Sequence, residues 1–233
     1  MKLQICLTAI ASCLLIMNTG CRSYSPTATT WEVLLDRKHP ERYAENFRGY
    51  KQPGFPAQGW TLDGDALKTV PGFGGADIMT RQMFANFEIE FEWRASSGGN
   101  GGVMYNVAET DGPPWATGPE YQVLDDAGHS DGKEPKTSSG ALYALIAPND
   151  KKELRSIGDF NKSTIVFNRG HVEHWLNGWK VVDYQWDSPE LQELIKRSKF
   201  AGLPGFMKQK HGYVVFQHHG EVVWYRNIRI RRL

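Results

Sequence analysis

Apolar and polar residues alternate along much of this chain, and this period of two predicts β-strands. Residues 87–94 are the clearest case, with aromatic and aliphatic side chains on one face and three glutamates on the other. Three later segments repeat the pattern at 163–167, 171–176 and 179–184. Arg169-Gly170 and Asn177-Gly178 separate them, and Asn-Gly is typical of tight hairpin turns. The pattern predicts a half-buried strand and, later, a three-stranded meander.

Two more alternating segments, 213–218 and 222–230, predict a closing hairpin around His219-Gly220. One helix is expected from Ser188-Pro189, where serine can cap and proline suits the first turn, to a stop near Gly202. Many short strands with frequent Gly and Asn turns predict an all-β fold. We expect a two-sheet antiparallel jelly-roll sandwich with one short inserted helix.

Acidic residues interrupt the apolar pattern between Gly118 and Asp126, in a segment otherwise typical of a strand. Strict alternation puts Glu120 and Gln122 on one face and Asp125 on the other. One extra residue after Gln122, a β-bulge, would bring Asp125 to the face of Glu120. Two interpretations stay open here: a polar cluster that carries chemistry, or a solvated strand face that ends in turn aspartates.

The first residues predict an exported protein. Lys2 precedes the apolar run 3–17, which is too short to remain as a membrane anchor, so residues 1–21 are typical of a secretory signal. Small residues before Cys21 resemble a bacterial lipobox, which implies cleavage before Cys21 and a lipid on its thiol. Asn18 stands where that motif usually has leucine, so ordinary cleavage or inefficient lipidation stays open. The expected location is the periplasm or cell envelope, as a lipoprotein, or the medium.

After this segment, residues 22–30 form a Ser/Thr/Pro-rich tether, and 31–233 are expected to form a single domain. All 3 cysteines of the chain lie within residues 1–21, which excludes a disulfide or a catalytic thiol in that domain. The chain has 27 basic and 26 acidic residues, and Lys2 is the one charged residue before Cys21. The exported chain is therefore neutral, and the arginines of 226–232 alternate with apolar residues as on a solvated strand, so nucleic acid is not an expected partner.

Five motifs, in their order and spacing, resemble the 3-keto-disaccharide hydrolase domain family. They are Glu92-Trp93-Arg94, Gly99-Asn100-Gly101-Gly102-Val103, the segment from Glu120 to Asp126, His174-Trp175-Leu176-Asn177-Gly178, and the ending from Tyr225 to Ile230. The resemblance spans nearly all of 31–233. It implies a concanavalin-like jelly roll, usually exported, in bacteria that process sugars oxidised at carbon 3. Gly101 stands where the family commonly has serine, and Asn106 where it often has arginine. If that arginine contacts substrate in relatives, this chain has altered specificity or lost activity.

The implied reaction is glycosidic cleavage helped by the ketone. A carbonyl at carbon 3 acidifies the hydrogen on carbon 2, so a base can remove it, the enolate can expel the glycosidic oxygen, and water can add later. Such a site needs a base, a donor or metal for the enolate oxygen, and an acid for the leaving group. We expect Glu120 to be the base and Asp125 or Asp126 to be the acid or a metal ligand. The expected substrate-binding residues are Arg94, Asn100, Gln122, Trp115 and His218.

Several of these residues have a structural alternative. Asp125, Asp126 and His129 are candidates for a divalent metal, or belong to a solvated loop. Arg94 contacts substrate or pairs with a neighbouring acid. His218 faces the groove of Glu120 or is a core histidine that bonds backbone, and Trp115 lies in a loop where it can line a groove for a sugar ring.

The same residues allow two functions without catalysis. In the first, the domain is a carbohydrate-binding module of the cell envelope, whose carboxylates bind sugar hydroxyls or a structural calcium. In the second, it is an envelope interaction domain. In the catalytic interpretation, the partner is an oligosaccharide or glycoside oxidised at carbon 3.

Overall fold

The computed structural model describes residues 30–233, so the predicted signal segment, Cys21 and most of the tether lie outside the described residues. Its strands are β1 Glu32–Leu35, β2 Phe47–Gly49, β3 Trp60–Asp63, β4 Ala66–Thr69, β5 Ile78–Thr80, β6 Phe87–Ala95, β7 Asn100–Val107, β8 Glu120–Leu124, β9 Asn161–Asn168, β10 His171–Leu176, β11 Trp179–Gln185, β12 Tyr213–Phe216 and β13 Val223–Arg232. The helices are α1 Tyr43–Asn46 and α2 Pro189–Lys196, with short 3-10 turns at Pro40–Arg42, Pro114–Ala116, Ser130–Lys133 and Pro135–Thr137. No helix of this part of the chain is long and apolar enough to cross a membrane.

The strands form two antiparallel sheets, which confirms the predicted all-β sandwich. The larger sheet has the order β11-β10-β9-β6-β13-β4-β3, with β1 also paired to β13. The smaller sheet has the order β2-β5-β12-β7-β8. Aromatic side chains join the sheets: Phe91 of β6 meets Tyr121 of β8 edge-on at 5.6 Å and Phe216 of β12 at 6.0 Å between ring centres. The core therefore lies between the two inner faces.

The outer face of the larger sheet carries a ladder of ion pairs. Each glutamate of β6 faces an arginine of β13, and the pairs are Glu88–Arg231, Glu90–Arg229 and Glu92–Arg226. The inward side chains of β6 are buried, which confirms the alternation predicted for 87–94. Three of the four C-terminal arginines thus form salt bridges on a solvated strand face, as the sequence indicated.

The predicted meander is confirmed, with β10 paired to both β9 and β11. Its second turn has φ values of 49° at Asn177 and 90° at Gly178, the left-handed values that an Asn-Gly hairpin needs. The predicted helix is α2, where Ser188 Oγ accepts a hydrogen bond from the Leu191 amide at 3.1 Å. It ends at Lys196, several residues before Gly202.

The predicted closing hairpin is wrong. β12 pairs with β5 and β7 in the smaller sheet, whereas β13 pairs with β1, β4 and β6 in the larger sheet. The connection between them therefore crosses from one sheet to the other. Alternation shows which side chains share a face, but it does not show which strand lies alongside.

Candidate active site

Glu120 and Gln122 lie side by side on the outer face of the smaller sheet. β8 pairs with β7 without a register shift, with Glu120 opposite Met104, Gln122 opposite Gly102 and Leu124 opposite Asn100. Directly opposed residues share a face, so both polar side chains leave the sheet in one direction. The opposite face of β8 puts Tyr121 and Val123 into the core. The two residues therefore share a face, as the alternation predicted.

Gly102 provides the room for the Glu120 side chain. A Cβ atom at position 102 would lie 1.8 Å from Glu120 Oε1 and 2.6 Å from Glu120 Cδ. The carboxyl group therefore lies across β7, above a residue without a side chain. Only glycine leaves this space open without moving the carboxyl group.

A cavity of about 350 Å³ lies over this face of the sheet. Its lining joins the sheet to loops that are distant in sequence and comprises Asn100, Trp115, Glu120, Gln122, Tyr143, Lys199, Phe200, Gln217 and His219. Trp115 is 43% exposed, and its place in the lining agrees with the position predicted for it. The segment that follows α2 closes one side, where Phe200 stacks on Phe206 with ring centres 4.0 Å apart.

Glu120 is a buried carboxyl without a partner. The residue is 8% exposed, and its side-chain oxygens accept no hydrogen bond from residues 30–233. Burial raises its pKa to about 8, because removal from water penalises the charged form. The nearby Lys199 ammonium opposes this rise, whereas the negative charges of Asp77 and Asp131 add to it. A carboxyl with a pKa near neutrality can both take up and release a proton under ordinary conditions.

The neighbouring charged groups are held in place. The Lys199 ammonium lies 4.3 Å from the centre of the Tyr143 ring, and the Tyr143 hydroxyl donates to Asp131 Oδ2 at 3.1 Å. His219 Nδ1 forms a 2.7 Å hydrogen bond with Glu221 Oε2. The cavity therefore contains an oriented lysine and an oriented histidine besides Glu120.

A chain of hydrogen bonds supports Gln122 from behind. Gln122 Nε2 donates to Asn100 Oδ1 at 3.1 Å, and Asn100 Nδ2 lies 3.4 Å from His129 Nε2. The ring is fixed in turn at Nδ1, which accepts from the Asp131 backbone amide at 3.1 Å. Gln122 and Asn100 are 1% and 4% exposed, so neither amide is a solvated turn residue.

Asp125 and Asp126 are not beside Glu120, and the proposed bulge is absent. β8 keeps a regular register to its last residue, Leu124, and both aspartates follow it. Asp125 accepts from the backbone amides of Gly98 at 2.8 Å and Ala127 at 3.3 Å. Asp126 accepts from the Ser139 amide at 2.8 Å and pairs with Lys152 at 2.5 Å. These bonds fix the loops that follow the strand, so the geometry gives neither aspartate a catalytic role.

The candidate metal site at Asp125, Asp126 and His129 does not assemble either, because each side chain is directed to a different partner. Within residues 30–233, one group of three potential ligands does come together: His171, Glu173 and Asp183. Lys180 already lies within that group, at 3.0 Å from Glu173 and 2.5 Å from Asp183. An ammonium group therefore occupies the place that a cation would take.

Two other predicted substrate contacts lie elsewhere. Arg94 is on the outer face of the larger sheet, where its guanidinium lies 4.3 Å from the centre of the Trp224 ring and 3.9 Å from Asp63 Oδ2. His218 is 1% exposed, and its Nε2 bonds the Val70 carbonyl at 2.9 Å. The structural alternative is thus correct for both. Gln217 and His219, on either side of His218, line the cavity instead.

Sequence patterns gave no sign of Tyr143 or Lys199. Both come from irregular segments without periodicity, and only the tertiary fold brings them to Glu120. The departure at Asn106 also lies away from the cavity lining. Asn106 is 1% exposed with φ of 51°, and its side-chain amide has no hydrogen-bond partner within the described chain.

The fold and the cavity together define a jelly-roll protein with a buried carboxyl group beside a cavity of small-molecule size. A family model described as a 3-keto-alpha-glucoside-1,2-lyase-like domain matches residues 30–231, and the chain belongs to this family. It is 32% identical over 217 residues to a 3-keto-disaccharide hydrolase from Bacteroides thetaiotaomicron, covering 80% of this chain and 74% of that protein. The resemblance stated from the five motifs is confirmed, and the protein is a glycoside hydrolase-like enzyme.

Solved structures agree on the fold. A Parabacteroides distasonis protein provisionally described as a glycosyl hydrolase superposes with a TM-score of 0.76 at 29% identity, over 87% of this chain and 94% of that one. A carbohydrate-binding module from Bacillus subtilis superposes with a TM-score of 0.51 at 10% identity, over 80% and 95% of the two chains. The second likeness concerns the fold alone.

Proposed function

We propose that this enzyme cleaves glycosides oxidised at carbon 3, with Glu120 as the base that removes the hydrogen from carbon 2. The observation that carries the proposal is the unpaired, buried Glu120 carboxyl beside a cavity of about 350 Å³ in a member of this family. A cavity of this volume lies within the range of small-molecule sites. The name of the Bacteroides relative supports the substrate class.

The reaction runs in two stages. Glu120 takes the carbon-2 proton, and the electron pair of the C–H bond moves toward the carbonyl, which becomes an enolate. The enolate then restores its carbonyl and forms a double bond between carbons 1 and 2, while the glycosidic oxygen leaves with its bonding pair. Water adds across the new double bond to give the free 3-keto sugar. Elimination thereby avoids the oxocarbenium ion of an ordinary glycosidase.

The other groups in the cavity have complementary roles. The Lys199 ammonium favours the ionised form of Glu120, which a base requires. His219 lines the cavity and is held by Glu221 through Nδ1, so its other ring nitrogen is the candidate route by which the leaving oxygen gains its proton. Trp115 offers an exposed ring against which a sugar can stack.

Incubation with matched sugar pairs tests the proposal. 3-Keto-trehalose and other 3-keto-glucosides are compared with their unoxidised parents, with the wild type and with Glu120→Gln, in the presence and absence of chelator. We expect cleavage of the keto sugars alone and a loss of about 10²–10⁴-fold in the variant, the range of general acid–base help. Equal cleavage of the parents would contradict the enolate route, and binding without any cleavage would favour the carbohydrate-binding function.

We also propose that the enzyme works outside the cytoplasm, held to the envelope by a lipid on Cys21. The support is the apolar segment and the small residues before that cysteine. Mass spectrometry of the exported protein and of Cys21→Ser tests this. The wild type should carry diacylglycerol and sediment with membranes, and the variant should be released. An unmodified, soluble wild type would contradict the proposed anchor.

A further inference from the structure

Gln217 presents a side-chain amide to the cavity without a protein partner. The residue is half-buried and lines the cavity, and its side chain forms no hydrogen bond with residues 30–233. Neither polar atom of this amide is enclosed by the described residues, so both are open to the cavity. Its N–H groups can therefore donate to a bound ligand.

Other polar groups of the lining already bond one another or the surrounding loops. Gln122 Nε2 donates to Asn100 Oδ1 at 3.1 Å, and the Tyr143 hydroxyl donates to Asp131 Oδ2 at 3.1 Å. An enolate route needs a donor for the oxygen on carbon 3, where negative charge develops. Gln217 is an amide donor of the lining with no competing acceptor among the described residues.

Strand pairing puts Gln217 beside the Glu120 carboxyl. β12 pairs with β7 so that Val215 is opposite Met104, and the same register continues past β12 to put Gln217 opposite Gly102. Directly opposed residues share a face, so the Gln217 side chain leaves the sheet on the side that a side chain at position 102 would take. The Glu120 carboxyl occupies that space from the other side, since it reaches across from β8.

The backbone at Gln217 is held from both sides. Its own N–H donates to the Gly102 carbonyl at 2.9 Å, and the N–H of His218 donates to Asp77 Oδ1 at 2.8 Å. The His218 ring bonds the Val70 carbonyl at 2.9 Å. Only the side-chain torsions of Gln217 remain to be set when a ligand binds, so its amide needs little reorganisation.

We propose that Gln217 is the oxyanion donor of this site, whose side-chain N–H bonds the carbon-3 oxygen of the substrate and holds the enolate formed there. The inference rests on the proposed function and adds a residue for the developing negative charge. Glu120 takes the carbon-2 proton, the electron pair of that bond moves toward the carbon-3 oxygen, and the Gln217 amide keeps its own proton. Hydrogen bonds to ionised groups are roughly twice as strong as neutral ones, so the contact strengthens as the enolate forms.

The spacing from the base suits this role. A Cβ atom at position 102 would lie 1.8 Å from Glu120 Oε1, and the Cβ atoms of directly opposed residues are about 4.5–5.5 Å apart. Gln217 Cβ is therefore within about 7 Å of Glu120 Oε1. The reacting hydrogen and the carbonyl oxygen of a 3-keto sugar are on adjacent carbons. One sugar ring above Gly102 can therefore meet the Glu120 carboxylate with carbon 2 and the Gln217 amide with oxygen 3.

Hydrogen exchange at carbon 2 tests the donor without requiring cleavage. The probe is 3-keto-1,5-anhydroglucitol, which has no leaving group, and its exchange in D₂O is followed by NMR. The wild type should catalyse exchange, and Gln217→Met, similar in volume but without a donor, should slow it about 10²–10³-fold. Affinity for unoxidised 1,5-anhydroglucitol should fall by no more than about tenfold, the range of one neutral hydrogen bond, whereas a damaged site would lose both.

Gln217→Glu tests whether the contact must donate. An ionised carboxylate of the same length accepts but cannot donate, and it repels the enolate, so exchange should slow at least as much as in Gln217→Met. With 3-keto-trehalose, both variants should lower kcat with little change in KM, because the lost interaction belongs to the transition state. A crystal structure of the wild type with the probe should place the carbon-3 oxygen about 2.7–3.1 Å from Gln217 Nε2.

The outcomes separate the donor role from the proposed function. A wild type that neither exchanges nor cleaves keto sugars overturns both. A wild type that exchanges, with Gln217→Met equally fast, overturns the donor role alone, and a matching loss in Lys199→Met would then assign the oxygen to the ammonium. A bound probe whose carbon-3 oxygen does not contact Gln217 overturns the donor role even if the variants fail to fold.

Discussion

A methyl group at position 102 would occupy the space that holds the Glu120 carboxyl. In Gly102→Ala the new Cβ atom would lie 1.8 Å from Glu120 Oε1, whereas ordinary contact begins at 3.4 Å, so the oxygen must move by about 1.6 Å. Gly102 has no left-handed φ, so alanine fits the backbone without strain. A misplacement of about 1 Å can cost 10²-fold in rate. We therefore expect kcat/KM for 3-keto-trehalose to fall by about 10²-fold or more.

Stability should change much less than activity. The displaced group is the flexible end of a side chain beside a cavity, so the free energy of unfolding should fall by less than about 1 kcal/mol, below the usual range for overpacking. Gly101→Ala is the matched control, because its Cβ atom would face the core, 2.8 Å from the Tyr225 hydroxyl. That variant should lose about 1–3 kcal/mol of stability and keep its activity per folded molecule.

The assay is aglycone release at saturating and limiting substrate, together with urea unfolding of both variants. The two variants should have opposite outcomes, because these neighbouring glycines face opposite sides of β7. It would be refuted if folded Gly102→Ala cleaved 3-keto-trehalose within about threefold of the wild-type rate, since a carboxyl displaced this far could not remain in place as the base.

Four further results are expected. Wild-type kcat/KM should rise with pH up to about 8, where Glu120 ionises, and a flat profile from pH 6 to 9 would contradict its role as base. Lys199→Met should move the rise of kcat/KM to higher pH, because the Lys199 ammonium lowers the pKa of Glu120. A rise at the same pH as in the wild type would contradict that coupling. Trp115→Ala should raise KM about 2- to 10-fold with kcat nearly unchanged, as loss of an aromatic contact of about 0.5–1.5 kcal/mol implies, and an unchanged KM would remove Trp115 from the binding surface. Asp125→Asn should lower the midpoint of urea unfolding and leave kcat nearly intact, whereas a fall of 10²-fold in kcat would restore the catalytic role predicted from sequence.

The strand pattern predicted much of this fold because most outward positions are solvated and most inward positions are buried. β6 and the meander follow directly from that rule, and so does the shared face of Glu120 and Gln122. The rule does not identify neighbouring strands, which is why the closing hairpin was wrong. It also does not show where a strand ends: the pattern extends to Asp125, whereas β8 stops at Leu124.

The missed parts of the site are tertiary contacts. Lys199 follows the end of α2 and Tyr143 lies in an irregular segment, so neither position carries a periodic signal. Arg94 lies away from the cavity for a related reason. Its strand face carries glutamates, and the fold uses that face as the ion-paired exterior of the other sheet rather than as a wall of the cavity.

The pH dependence of the free energy of unfolding tests the raised pKa of Glu120 without any substrate. Its pKa is raised from 4.5 to about 8, so between these values the folded state binds more protons than the unfolded state, and stability falls as pH rises through this window. Glu120→Gln should therefore have little effect near pH 4.5 and should stabilise the fold at pH 9 by roughly 2–4 kcal/mol. An equal effect at both pH values would contradict the buried, uncompensated carboxyl.

The most direct test of the central claim is the isotope effect at carbon 2. Cleavage of 3-keto-trehalose is measured with hydrogen and with deuterium at that carbon, on the wild type, with a rapid quench before label is lost to solvent. Removal of this hydrogen by Glu120 predicts a primary isotope effect on kcat/KM and an unsaturated 3-keto sugar as the first product. Equal rates for the two isotopes, with the hydrated sugar formed at once, would contradict it.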